Sequence, residues 1–135
     1  MSTNAEPSPR FLSDEWCAAA NERLNEDEDT KELAGWANLT MHYVVTDVPT
    51  EGRVAYYRRF ADDEVVIARG TPDEVTLTLT LPYEVAAEVN RGAIDIPSAF
   101  AQKKLTVDGE LGPLMMLREE LSAVTTLIAE VPTTY

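Results

Sequence analysis

The sequence predicts an α+β fold because it changes between two kinds of hydrophobic spacing. Apolar residues alternate along the chain from Leu39 to Val45 and again from Val75 to Leu81, which is typical of strands with one buried face. From Leu114 to Ile128 they recur every three or four residues, as in a helix with one apolar face. The 135 residues fit a single domain, predicted at 13–135, after a flexible N-terminal tail at 1–12.

The first helix is predicted to begin at Ser13, whose hydroxyl can accept a hydrogen bond from the first turn and so cap the helix. The two acidic residues that follow suit the positive end of the helix dipole. The acidic run Glu26–Asp29 is predicted to end this helix as a solvated loop. It lacks the alternating ligand spacing and the glycine of a calcium-binding loop, so a calcium site is not favoured.

Turn residues divide the rest of the chain into further elements. Strands are predicted at Arg53–Phe60, Glu64–Arg69 and Lys104–Val107. Helices are predicted at Pro82–Gly92 and Ser98–Gln102, and a last helix of about twenty residues is predicted around Pro113. Gly109 is expected to break the strand before it. The predicted order is therefore a helix, three or four antiparallel strands, two helices, one more strand and a final helix.

Charge excludes several functions. Twenty-four acidic against eleven basic residues give a net charge of −13, which repels nucleic-acid backbones and anionic membranes. The only adjacent bases are Arg58–Arg59 and Lys103–Lys104, and no apolar run approaches the ~20 residues of a membrane-spanning helix. We therefore predict no nucleic-acid partner and no stable membrane insertion. The single cysteine, Cys17, and the lack of a signal-peptide pattern favour a cytoplasmic location.

The second half of the chain carries a series of ordered motifs: Asp73–Leu79, Gly92-x-Ile94-x-x-Pro97-x-Ala99-Phe100, Lys104-Leu105-x-Val107-x-Gly109-x-x-Gly112 and Met115–Leu117. In this order and spacing, they resemble the sterol carrier protein type 2 family of lipid-binding domains. The first half of the chain matches by the order of its elements. One position departs from the family pattern, since Lys103 stands where members usually have glycine. A lysine there would strain the turn if the position requires a positive φ.

The resemblance implies a five-stranded, largely antiparallel sheet with helices packed on one face and an apolar tunnel between them. Such a domain would bind and carry a fatty acid, a sterol or a similar lipid without catalysis and without a cofactor. The residues expected to form the cavity wall are Met41, Tyr43, Leu77, Leu79, Phe100, Leu105, Met115, Met116, Leu117 and Leu121. The final helix would serve as lid and wall. Ordinary core packing explains the same apolar residues without a cavity, so both interpretations stay open.

Two further hypotheses use the same cavity for other purposes. A small enzyme could act on a hydrophobic or polyketide-like substrate, and an accessory subunit could present such a substrate to a partner enzyme. His42 is the only histidine, and strand parity places it on the threonine-bearing side without an evident partner. Tyr43, Tyr56 and Tyr57 could contact a ligand head group together with Arg58. Alternatively, Tyr56 and Tyr57 are ordinary strand residues that face opposite sides of the sheet. A strongly shifted pKa inside the cavity would favour an enzyme, and an apolar lining a carrier.

Overall fold

The computed structural model describes residues 8–135. The helices are α1 (Asp14–Asn25), α2 (Glu28–Trp36), α3 (Tyr83–Asn90), α4 (Ile96–Ala101), α5 (Gly112–Met116) and α6 (Arg118–Ala129). The strands are β1 (Leu39–Val48), β2 (Gly52–Ala61), β3 (Glu64–Arg69), β4 (Leu77–Pro82) and β5 (Thr106–Gly109).

The five strands form one sheet in the order β3-β2-β1-β4-β5. Only β1 and β4 run parallel, and the other three neighbouring pairs are antiparallel. The predicted α+β class and the largely antiparallel sheet are therefore confirmed. Residues 70–76 cross from the end of β3 to the far side of β1. There β4 begins beside Met41, near the start of β1, so these two strands run in the same direction.

The sheet has two different faces. On the inner face, Met41 lies opposite Arg58 and Leu77, and the next row has Tyr43 opposite Tyr56. These side chains belong to one buried cluster with apolar residues of the helices, so the helices pack on this face. The outer face carries the intervening positions, which are mostly polar and half-buried.

Helix α1 also covers the exposed edge of β3 with two asparagines. Val65 N–H donates to Asn25 Oδ1 over 3.0 Å, and Asn25 Nδ2 donates to the Val65 carbonyl over 2.8 Å. The Ile67 N–H donates to Asn21 Oδ1 over 2.9 Å. The amides thus occupy backbone groups that an edge strand otherwise leaves open to another chain. They also fix α1 against the sheet.

The predicted start of α1 is confirmed, but the loop predicted after it is wrong. Ser13 caps α1 by accepting a hydrogen bond from the Trp16 N–H. Within the acidic run, Asp27 is itself a helix cap, since its carboxylate accepts from the Thr30 N–H over 2.9 Å. Glu28 and Asp29 form the first turn of α2, where the helix dipole favours negative charge. Four consecutive acidic residues suggested a solvated loop, although they include the cap and the first turn of α2.

The described part of the predicted tail packs against the domain. Phe11 and Leu12 are buried, and the Phe11 N–H donates to the Thr134 carbonyl over 2.8 Å. The ordered domain therefore begins before Ser13, and the predicted boundary is too late. The remainder of the predicted tail, residues 1–7, lies outside the described residues.

The last helix is two helices instead of one. The helix is interrupted at Leu117, whose φ of −101° and ψ of 20° end α5 before α6 begins. The apolar face survives the break, because Leu114, Leu117, Val124 and Ile128 are all buried. Strong hydrophobic spacing thus predicts the buried face better than it predicts the continuity of the helix.

Two strand boundaries near β4 and β5 also differ from prediction. Val75 precedes β4 and is exposed, although its spacing matched the strand. Gly109 belongs to β5 and pairs with Leu77, so it does not interrupt the strand. A side chain at Gly109 would place a Cβ 2.7 Å from the Thr76 carbonyl oxygen, which explains the need for glycine.

Lys103 adopts a left-handed conformation with φ of 61°. This is the position where the family pattern usually has glycine, and the structure shows that the turn keeps the positive φ in spite of the lysine. An L side chain in this region costs roughly 1–2 kcal/mol. The turn therefore keeps its geometry at some expense in stability.

Candidate ligand-binding site

An open groove of about 610 Å³ lies between α2 and α6. Its apolar part comes from Thr30 and Leu33 on α2 and from Ala123, Val124 and Leu127 on α6. Leu33 and Val124 are buried members of the main core, so the floor of this α2–α6 groove is continuous with the helix–sheet interior. The volume falls in the range of about 300–1,000 Å³ that small-molecule pockets occupy.

The rim of the α2–α6 groove is acidic. Asp27 and Asp29 approach from α2, and Glu119 and Glu120 from α6. All four lie at helix N-termini, where the macrodipole stabilises negative charge, so folding alone accounts for their presence. Their consequence for binding is electrostatic: an anionic group held at this rim is repelled, whereas a neutral group is not.

The ten predicted wall residues occupy three different environments. Buried in the core are Met41, Tyr43, Leu77, Leu79, Leu105 and Leu117. Leu121 is half-buried beside a small cavity of about 20 Å³ against α4, which has room for one water. Exposed are Phe100 at 40%, Met115 at 54% and Met116 at 83%. None of the ten lines the α2–α6 groove, and their role as a wall stays a prediction.

Sequence reasoning missed the α2 side of the groove because it missed α2. The signal was present in the spacing Asp27-x-x-Thr30, a cap residue followed by its hydrogen-bond partner, ahead of Leu33. Interpreting the acidic run as one solvated block hid that start. Without α2, Leu33 does not appear as part of an apolar helix face.

An aromatic group surrounds Arg58 on the inner face, and we call Trp16, Tyr43, Tyr56 and Arg58 the Arg58 cluster. The Tyr43 and Tyr56 rings stack with centroids 4.6 Å apart, and the Trp16 ring meets Tyr56 edge-on at 5.8 Å. The Arg58 guanidinium carbon lies 4.9 Å from the Tyr43 ring centroid. Burial raises the pKa of both tyrosines, so their phenols are neutral at pH 7. The strands therefore bring Tyr43, Tyr56 and Arg58 together, whereas Tyr57, the fourth predicted member, lies on the outer face beside His42.

His42 lies on the outer face, as strand parity predicted. Its Nδ1 is 3.3 Å from the Thr78 hydroxyl and its Nε2 is 3.4 Å from the Thr71 hydroxyl. Partial burial lowers the pKa of the imidazole, which is therefore neutral at pH 7. Its hydrogen-bond partners in the part of the chain described are hydroxyls, whereas an oriented general base usually relies on a carboxylate or carbonyl.

Cys17 has the features of a packed thiol. The side chain is buried in α1, and burial, with a smaller contribution from Asp14, raises its pKa to about 11. A thiol with this pKa is protonated at pH 7 and is a poor nucleophile. Among residues 8–135 no group of three or more His, Cys, Asp or Glu side chains is placed to hold a metal ion. No helix in the same range is long and apolar enough to cross a membrane.

A mixed five-stranded sheet, helices on its inner face and an apolar groove between two of them define a small ligand-binding domain. Residues 18–122 match the model of the SCP-2 sterol transfer family, and the chain belongs to this family. The resemblance inferred from the sequence motifs is thereby confirmed. A sequence comparison with curated proteins gives no match.

Solved structures show the same fold at low sequence identity. A crystal structure of sterol carrier protein 2 aligns with a TM-score of 0.73 and 18% identity, over 90% of this chain and 99% of that one. Apo sterol carrier protein 2 from Yarrowia lipolytica aligns at 0.65 and 18%, over 96% and 99%. A conserved hypothetical protein from Thermus thermophilus aligns at 0.71 and 17%, over 98% and 97%.

The fold also occurs within an enzyme. A stereoselective inverting sec-alkylsulfatase from Pseudomonas sp. aligns with a TM-score of 0.57 and 15% identity, over 90% of this chain and 16% of that one. Members of the family are typically non-catalytic carriers of hydrophobic molecules, and some domains of this fold are parts of enzymes. The fold by itself therefore does not separate the two activities, and the side chains have to.

Proposed function

We propose that the protein binds and carries a single-chain lipid or another elongated apolar molecule, with the apolar part of the ligand in the α2–α6 groove. The observation that supports this most directly is the apolar floor, which joins the core through Leu33 and Val124. Each methylene transferred from water to such a surface contributes about 0.8 kcal/mol. Affinity should therefore rise with chain length.

The charge around the groove argues against acyl-CoA as the preferred ligand. The bases that could attract a CoA phosphate, Arg58, Arg59, Lys103 and Lys104, do not line the groove. Arg58 is buried, Arg59 pairs with Asp62, and Lys104 pairs with Glu88. The groove rim instead carries four carboxylates. A neutral lipid or a free acid is therefore the better candidate, since a CoA ester brings several negative charges to an acidic rim.

The proposal is tested by filling the groove with a side chain. Ala123 is exposed and lines the groove, so Ala123→Phe should occupy the space without disturbing the core. Ala129→Phe is the matched control, because Ala129 is an exposed alanine of the same helix outside the groove lining. Fatty alcohols of eight to sixteen carbons would be titrated against a bound fluorescent probe.

We expect the affinity of wild type and Ala129→Phe to rise with chain length, and we expect Ala123→Phe to lose at least tenfold. A flat chain-length series in wild type would rule out an apolar binding site of this kind. Equal binding by both variants would place the ligand outside the α2–α6 groove.

We infer that the protein acts without catalysis. The outer-face histidine has only hydroxyl partners within residues 8–135, and the buried thiol of Cys17 is protonated at neutral pH. The enzyme and accessory-subunit hypotheses would gain support from turnover of a bound molecule or from a co-purifying enzyme. A lone buried cysteine also supports the proposal of a reducing compartment such as the cytoplasm.

A further inference from the structure

The Arg58 cluster contains a buried cation that has no counter-ion among residues 8–135. Arg58 is only 4% exposed, yet none of the ion pairs among residues 8–135 involves it. A guanidinium stays charged at any physiological pH, and removing it from water is costly unless an anion accompanies it. The chain carries 24 acidic residues, so the missing partner is not explained by a shortage of carboxylates.

The neighbours of Arg58 do not supply the negative charge. Burial raises the pKa of Tyr43 and Tyr56, and it raises that of Cys17 to about 11, so all three groups are neutral at pH 7. The tyrosine rings do face the cation, with centroids 4.9 Å and 6.0 Å from the guanidinium carbon. Such cation–π contacts offset only a part of the cost of burying a charge.

Two hydrogen-bond donors in the cluster also lack acceptors. Arg58 Nε and Trp16 Nε1 are both buried without a partner in the described part of the chain, and both side chains lie against the Tyr56 ring. Buried donors are nearly always satisfied in proteins, and unsatisfied ones commonly mark the place of a ligand or an ordered water. Two donors and one positive charge call for an acceptor that is negative and has several lone pairs.

We propose that the Arg58 cluster is the head-group site of the ligand and that it binds a carboxylate attached to an apolar chain. The proposal rests on the proposed function, which places the apolar chain in the α2–α6 groove, whose floor joins the core through Leu33 and Val124. A carboxylate fits because it accepts several hydrogen bonds and pairs with guanidinium in a bidentate geometry.

The acidic rim and the Arg58 site predict opposite preferences between a fatty acid and the matching alcohol. Asp27, Asp29, Glu119 and Glu120 disfavour a carboxylate at the groove mouth, so the rim alone predicts that a fatty alcohol binds better than the matching acid. A buried Arg58 site predicts the reverse order. The comparison of acid with alcohol therefore isolates the contribution of the cluster.

The test measures palmitate and 1-hexadecanol binding at pH 8, where the acid is ionised, to wild type, Arg58→Met and Arg58→Lys. Wild type should bind the acid at least tenfold more tightly than the alcohol. In Arg58→Met this ratio should fall to one or below, while alcohol affinity stays within about threefold. Arg58→Lys keeps the charge without the planar fork and should fall between the two.

Several outcomes would overturn the site. Wild type binding the alcohol as well as the acid would show that an ordered water, and no anion, meets the donors; the proposed function would then still stand. Arg58→Met retaining the acid preference would place the head group elsewhere. Failure of both ligands to bind wild type would instead remove the proposed function.

A second measurement leaves Arg58 unchanged, so it still tests the proposal if Arg58→Met does not fold. The indole N–H resonance of Trp16, distinguished from that of the exposed Trp36 by Trp36→Phe, reports on the buried donor. Palmitate should shift the Trp16 resonance strongly downfield, and 1-hexadecanol should leave it nearly unchanged. An unmoved Trp16 resonance at saturating palmitate would contradict the proposal.

Discussion

Two concavities of similar size lie on opposite sides of the sheet, and they differ in how much of the lining is apolar. The α2–α6 groove, at about 610 Å³, has an apolar floor built by two helices. A pocket of about 540 Å³ on the outer face, here called the outer pocket, is lined mainly by polar and charged side chains of Thr40, Tyr57, Arg59, Asp73 and Glu74. Volume therefore says nothing about function in this protein, and the chemistry of the lining favours the groove as the place for a lipid.

The difference follows from strand parity and from where the helices pack. Alternate residues of β1 point to opposite faces, so Met41 and Tyr43 meet the helices while Thr40 and His42 face outward. The loop before β4 then folds over the outer face, where Thr71 approaches His42. An enzyme built on this fold would most simply use the outer pocket, since the sole histidine lies beside it.

The largest expected effect is on the groove floor. Leu33→Ala removes a buried leucine that belongs to both groove and core, and should lower the free energy of unfolding by about 2–5 kcal/mol. Thr71→Ala, at the outer pocket, should change it by no more than about 0.5 kcal/mol. Urea unfolding measures the free energy of unfolding of both variants. Equal decreases would contradict the claim that the groove floor belongs to the core and the outer pocket does not.

Rim charge should have the next largest effect. The double variant Glu119→Gln/Glu120→Gln removes two rim charges, and should tighten acyl-CoA binding by about three- to tenfold at low salt. The control is Asp14→Asn/Glu15→Gln, which removes two acids from the first turn of α1. Neither residue lines the groove. Acyl-CoA titrations at two ionic strengths measure the effect. An increase in affinity that persists in high salt would show that the cause is not electrostatic.

A smaller effect concerns pH and the outer face. Because the pKa of His42 is lowered in the folded protein, the unfolded chain binds a proton first as pH falls below about 6.5. His42 therefore contributes a loss of stability on acidification through and below that pH, and His42→Asn should flatten the profile of unfolding free energy. A catalytic histidine paired with a carboxylate would have a raised pKa and give the opposite slope. Urea unfolding between pH 7.5 and 5 separates these cases.

The smallest effect is expected at the exposed end of α5. Met116 is largely in solvent, so Met116→Ala should change stability by no more than about 0.5 kcal/mol in the ligand-free protein. Thermal unfolding with and without a fatty acid tests whether Met116 becomes part of a wall when ligand is present. An unchanged shift on ligand addition would remove Met116 from the site, and a loss above about 2 kcal/mol would show that it is buried in solution.

Much of the fold was predictable because it depends on local chemistry. The Ser13 cap, the β2–β3 hairpin and the buried stripe from Leu114 to Ile128 all follow from neighbouring residues and their spacing. The site was harder to predict, since one wall belongs to α2 and the other to α6, far apart in the chain. Because the cap at Asp27 was not predicted, the prediction lacked α2 and therefore one wall of the groove.

The sequence by itself determined which side chains share a face, because alternation along a strand is a property of the backbone. Arg58 has the parity of Tyr56 and Phe60, so its inward direction was already implicit in β2. Only the tertiary structure decided that β4 runs parallel to β1, and that none of the acids in residues 8–135 pairs with Arg58. Both depend on contacts between distant segments, which spacing along the chain does not encode.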